Sequence, residues 1–173
     1  MINNDLFHRF RSLSFLKDAI GLGWNDSDVA YFCTSVGTEV IGWLGVEGIH
    51  FCFIPSISSD MVFAVSPMPC GEHYIEPIAR NFQEFLSLVL FCKGASPLEQ
   101  ICWIGERQFS ELLKSEEENG WPAQDAALNT LCTEFGIEAH SNAYQYVKSL
   151  QADFDYSTIP YSKEYYDTLG IEK

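Results

Sequence analysis

The stretch Glu76–Gly94, EPIARNFQEFLSLVLFCKG, limits the possible folds of this chain more than any other. Asn81 stands where a helix N-cap belongs, and Glu84 follows three residues later, the spacing of a capping box. Phe82, Phe85, Leu86, Val89 and Leu90 then recur at helical spacing, and Gly94 fits a C′ stop. Leu88, Phe91 and Cys92 widen the apolar stripe until little of the helix is polar. A helix apolar nearly all round has to be buried, so the remaining elements must enclose it.

With 173 residues, 47% of them apolar, the chain can bury a full core as one domain spanning 1–173, without disulfides or metals. Its net charge is −14, of which −5 falls on residues 1–80 and −9 on residues 81–173. Such a balance repels nucleic acid and anionic membranes and attracts basic proteins. A well-solvated acidic surface is the plainer reading of the same charge. Five of the six cysteines (Cys33, Cys52, Cys92, Cys102 and Cys132) lie among apolar neighbours, as small buried hydrophobes do. The opening residues MINNDLFHRFRS lack the apolar core of a secretory signal, and no apolar run approaches transmembrane length. Free thiols in a reducing cytoplasm are therefore expected.

Residues 5–20 predict one amphipathic helix, with Leu6, Phe10, Leu13, Leu16 and Ile20 on a shared face. The character then turns to β. Runs 40–45 and 49–54 flank Val46-Glu47-Gly48, where Gly48 can supply a hairpin turn, and 61–65 makes a third strand. Pro67–Gly71 breaks the pattern, and His73-Tyr74-Ile75 suits one more strand. Strands so close together predict an antiparallel or mixed sheet over about residues 38–76, flanked by helices: an α+β fold. Ser96-Pro97-Leu98-Glu99 predicts a helix start with Ser96 as cap, Pro97 at N1 and Glu99 at N3, 106–117 and 124–135 predict two further helices, and Tyr144, Val147 and Leu150 mark a last one. Residues 120–173 read as a helical C-terminal extension, and its aromatic tail (Tyr156, Tyr161, Tyr165, Tyr166) is expected to pack back on the body.

Chemistry leaves few marks. There is no CxxC pair, HExxH motif, P-loop, nucleophile elbow or EF-hand loop, so no catalytic residue, metal ligand or cofactor site is expected. His50 and Cys52 share a strand face among apolar neighbours, which suits a core pair better than half a metal site. Cys70 and His73 could form a nucleophile and base, with Glu72 adjacent but no recognisable oxyanion donors. Gly42 and Gly45 lie in strand runs, where glycine marks a bulge or a close approach. Two acidic groups offer themselves to a basic partner: Glu116, Glu117 and Glu118 at a helix end, and Asp153 with Asp155. The first group opposes the helix macrodipole, so local stability does not explain its presence.

Pro77, the small apolar pair Ile78-Ala79 and then Asn81-Phe82-Gln83-Glu84-Phe85-Leu86 resemble the strand-to-helix segment of the SUKH superfamily, as the aromatic run Ile41–Val65 resembles its sheet. The likeness covers about residues 40–115. Where the family has a Leu-Pro segment this chain has Ile20–Asp26, without the proline. The family includes Smi/Knr-type cell-wall regulators and bacterial immunity proteins that neutralise toxins. The resemblance implies an α+β fold, no catalytic residues, and a cytoplasmic protein that binds a basic toxin domain. Two other readings stay open: a small-molecule or regulatory domain with a pocket lined by Trp43 and Phe53, and a hydrolase using Cys70 and His73.

Overall fold

The computed structural model describes residues 5–23 and 30–172. The fold is α+β. Helices α1 (Asp5–Arg11) and α2 (Ser14–Ala19) precede a four-stranded antiparallel sheet in the order β1 (Glu39–Trp43), β2 (His50–Ile54), β3 (Ser58–Cys70) and β4 (His73–Ala79). Six helices follow: α3 (Phe82–Cys92), α4 (Ser96–Gln100), α5 (Glu106–Glu118), α6 (Pro122–Thr133), α7 (Ala143–Asp153) and α8 (Lys163–Leu169), with a 3-10 turn at Tyr156–Thr158 before the last.

Strand alternation sorts the sheet into two buried faces. Phe51, Phe53, Val62 and Ala64 point to one side and pack with α1, α3, α6 and α7 through Phe7, Phe10, Phe82, Phe85, Leu131 and Val147. Cys52, Ile54, Phe63, Val65 and Ile75 point to the other side, where Cys33, Ile159 and Tyr165 cover them. The residues after Gly120 thus supply side chains to both cores, and the aromatic tail packs back as expected. Tyr161 and Tyr165 stack at 3.7 Å, and Phe154 meets Phe63 edge-on at 5.5 Å.

The central helix forms as its sequence predicts. Glu84 N–H donates to Asn81 Oδ1 at 2.8 Å, and Asn81 Nδ2 donates to Glu84 Oε1 at 2.9 Å. Its end differs in one residue: Lys93, not Gly94, takes the left-handed conformation at φ 61°. Gln124 explains the tolerance, since its side-chain amide donates to Lys93 O at 2.5 Å and ties the helix end to α6. Gly94 N–H still closes the turn by donating to Val89 O.

Three local expectations are corrected. The single helix over 5–20 is two helices, because Ser12 Oγ donates to Arg9 O at 2.6 Å and offers the backbone an alternative to continuing the ladder. Within α1, Phe7 joins Phe10 on the inward face and is fully buried. Pro67–Gly71 does not end the third strand. β3 runs to Cys70, with an irregular register between Val65 and Cys70 that accommodates Pro67 and Pro69. Ser96 is the first residue of α4 rather than its cap, which is Ala95 and makes no side-chain bond.

Candidate functional site

The densest set of ionisable side chains among those expected to carry chemistry lies around the β3–β4 turn. Cys70 and His73 are cross-strand partners, as the nucleophile reading requires. The imidazole is stacked flat on the Tyr156 ring, 3.6 Å away with 6° between planes. Burial raises the Cys70 thiol above its ordinary value; a hydrogen bond with Cys102 opposes the shift, Glu76 adds to it, and Lys148 and Glu99 contribute least, with opposite signs. Cys102 is raised as well, first by burial and then by Cys70. A thiol held protonated in this way is a poor nucleophile. Glu99 is buried and accepts from Trp103 Nε1 at 2.8 Å and Gln100 Nε2 at 2.6 Å, so it holds the segment after α4. Among the described residues no group of three or more His, Cys, Asp or Glu is placed to hold a metal ion.

Glu76 at the centre of this cluster is buried and accepts from Tyr156 Oη at 2.5 Å. Burial raises its carboxyl above the ordinary value of 4.5, although Tyr156 and Lys148 oppose the shift. The native chain therefore keeps this proton at a pH where the unfolded chain has released it. Stability from this group is present at low pH and is lost as pH rises from about 4.5 through the folded value. Glu76→Gln, which keeps an acceptor for Tyr156, is expected to flatten that slope and raise Tm at neutral pH; melting curves between pH 4 and 8 would check it. A slope unchanged by the substitution would assign it to other groups.

The thiols also divide by exposure. Cys33, Cys52 and Cys92 are buried, Cys70 and Cys102 are half-buried, and Cys132 is exposed on α6. Cys132 is thus not the buried hydrophobe expected, because α6 turns only Ala127, Leu128 and Leu131 of its apolar stripe to the core. Under native conditions Cys132, not Cys70 at the end of β3, is expected to give the fast phase with a thiol reagent. Cys132→Ser should remove that phase; its persistence would place the reactive thiol elsewhere.

The acids expected to face a partner lie on two separate elements. Glu117 and Glu118 are exposed and Glu116 is half-exposed at the C-terminal end of α5. Asp153 ends α7, and Asp155 caps the 3-10 turn by accepting from Ser157 N at 3.1 Å and Ser157 Oγ at 2.6 Å. These two bonds hold the Asp155 carboxyl below its ordinary value. The two helices meet near their starts, through the Phe109–Tyr144 rings at 5.6 Å and the Tyr144 hydroxyl on Ile104 O, and no contact joins the two acidic groups. Among the described residues the ion pairs are Arg107–Glu111 and Lys163–Asp167, so Glu116, Glu117, Glu118 and Asp153 have no cationic partner. Trp103 and Trp121, at the two ends of α5, are 41% and 49% exposed.

The pocket expected at Trp43 and Phe53 exists at Trp43 only. Phe53 is fully buried against Phe7 at 5.1 Å. Trp43 instead borders a hollow of about 350 Å³ with Tyr31 and the hairpin loop Gly45–Ile49. Glu47 has φ 48° and Gly48 φ 75°, and Ile49 N–H donates to Val46 O at 3.0 Å, the pattern of a type I′ turn. The sequence signals the turn through Gly48, but nothing in it announces that Tyr31 would close on it. Tyr31 lies so near that a Cβ on Gly48 would sit 2.2 Å from its ring. No protein-family model, curated protein or solved structure matches the chain.

Proposed function

We propose that this chain is a non-enzymatic protein-binding module of the immunity type, acting in the cytoplasm on a basic toxin domain. The observation that carries the reading is the unpaired acidic end of α5. Each acid there works against the helix macrodipole at a cost of about 0.3–1 kcal/mol, a cost that a cationic partner would offset. Trp121 follows directly, and exposed tryptophan is a frequent anchor in protein interfaces. Asp153 and Asp155 supply a second, separate negative patch.

Charge reversal separates partner binding from plain solvation. Glu117→Lys with Glu118→Lys is expected to slow association with a basic toxin domain several-fold at low salt, since rim charges mainly set the on-rate. The same change should raise folding stability by about 0.3–1 kcal/mol per site, because the helix end then carries cations. Stopped-flow binding at two salt concentrations, beside urea unfolding, reads both. A rate indifferent to salt and to reversal in both acidic groups would end the electrostatic reading. No binding at all would end the immunity reading for that toxin.

The hollow at Trp43 favours a second reading, a domain that takes a small molecule. About 350 Å³ lies within the usual range of ligand pockets.

A further inference from the structure

The hollow at the β1–β2 hairpin is lined by two aromatic rings, hairpin residues and a carboxylate. Tyr31 and Trp43 line it with rings 6.0 Å apart and tilted by 51°, so they form an aromatic corner. Among the described residues Glu47 is the one charged residue in the lining. No hydrogen bond or ion pair engages its carboxylate among the described residues. Three backbone acceptors of the hairpin are already used: Val46 O by Ile49 N–H, Ile49 O by Leu44 N–H, and Gly48 O by His50 Nδ1 at 2.9 Å.

The walls are also fixed in advance. Because a carbonyl can only accept, His50 Nδ1 carries the proton, and the buried ring ties the turn to β2. The same ring lies 4.3 Å from Trp43, its partner across the strands. Its Nε2 is a buried acceptor with no partner among the described residues, and burial lowers the pKa of the ring, so it stays neutral. Glu47 is the strained member. A type I′ turn suits glycine, asparagine or aspartate at this position, and a glutamate with φ 48° resists it. The chain thus accepts backbone strain at the residue that adds a carboxylate to the lining of the hollow.

We infer that Tyr31, Trp43 and Glu47 form a binding site for an alkylguanidinium group, which stacks on an aromatic face and pairs with the Glu47 carboxylate. A guanidinium suits this corner better than an ammonium. It is planar, weakly hydrated, and can present two donors to a carboxylate while lying against a ring. The group could come from a free guanidine or from an arginine side chain of a basic protein. The site stands on the hollow alone and survives if the acidic end of α5 has no partner.

The test is an amide-resonance titration of the whole chain with agmatine, with the arginine peptide acetyl-Gly-Arg-Gly-amide, and with N-carbamoylputrescine as control, which keeps the ammonium of agmatine and replaces its guanidinium by an uncharged urea. Saturable shifts at Trp43, Glu47 and Gly48 are expected for the two guanidinium compounds, with a Kd of order 1 mM, and none for the urea. Tighter binding of the peptide assigns the source to a protein side chain, and tighter binding of agmatine assigns it to a free guanidine. Glu47→Gln should weaken binding about tenfold, as loss of the one paired charge predicts. Glu47→Asn should abolish it while raising Tm by roughly 2 °C, because asparagine relieves the turn. Absence of saturable shifts, equal shifts with the urea, or an unchanged Kd in Glu47→Gln would each overturn the assignment.

Discussion

Replacing Phe82 with alanine is expected to destabilise the fold by about 3–5 kcal/mol, the upper range for a buried aromatic. Phe82 is fully buried, and its ring meets Phe7 at 5.1 Å, Phe10 at 5.3 Å, Phe85 at 5.9 Å and Phe53 at 6.0 Å. It therefore joins the first helix, the sheet and the central helix at one point. Several of these contacts are edge-on or tilted, which adds about 0.5–1.5 kcal/mol per pair beyond buried area. Phe85→Ala and Leu86→Ala, on the same helix, should each cost about 2–5 kcal/mol. Urea unfolding with an unchanged m-value would measure all three. Losses below about 0.5 kcal/mol at each site would remove α3 from the centre of the core.

The central helix was legible in the sequence because every level agreed on it. Cap, apolar spacing and stop all point to one buried helix, and the structure differs only in placing the left-handed residue at Lys93. The hairpin and the antiparallel sheet were legible for a similar reason, since short apolar runs joined by turn residues leave little choice of topology. What the sequence hid depends on contacts far apart in the chain. Phe7 lies outside the stripe read for a helix over 5–20, and it is buried because it meets Phe53 on β2 and Phe82 on α3, at 5.1 Å each. Cys132 has apolar neighbours in sequence, but which face of α6 meets α2 and α3 decides its exposure. Phe53 and Trp43 look alike in a strand pattern, and only the sheet parity separates a core ring from the wall of a hollow.

The candidate sites divide in the same way. The acids of α5 and of the 153–155 segment are found at the surface, where a run of charges at a helix end belongs. Cys70 and His73 are brought opposite each other by the hairpin, as two residues either side of a tight turn must be. Their chemistry depends on Tyr156, eighty-six residues beyond Cys70, which stacks on the imidazole and bonds to Glu76. No local pattern announces that residue. The Tyr31 corner is hidden for the same reason: Tyr31 reaches the turn from outside the hairpin, and it fits because residue 48 has no side chain.

Gly42→Ala is expected to cost about 1–3 kcal/mol, through crowding rather than a lost contact. Glycine in the middle of a strand normally weakens it, so its place in β1 calls for a cause. Two are present. The β1–β2 register shifts between Val40 and Gly42, so the strand carries a bulge there. Across the strand, the segment after α2 comes so close that a Cβ on Gly42 would lie 2.9 Å from Leu22 Cβ and 3.3 Å from Leu22 O. Leu22 is itself fully buried, and Trp43 N–H donates to Gly23 O at 3.1 Å, so the segment is held on both sides of the contact. A methyl group must therefore push apart the strand edge and the chain covering it. Because Trp43 is the next residue, the displacement should reach the hollow as well as the core. Urea unfolding would read the cost, and near-ultraviolet circular dichroism the tryptophan environment. A loss below about 0.5 kcal/mol with an unchanged aromatic signal would show that residues 19–23 are free to move away from β1.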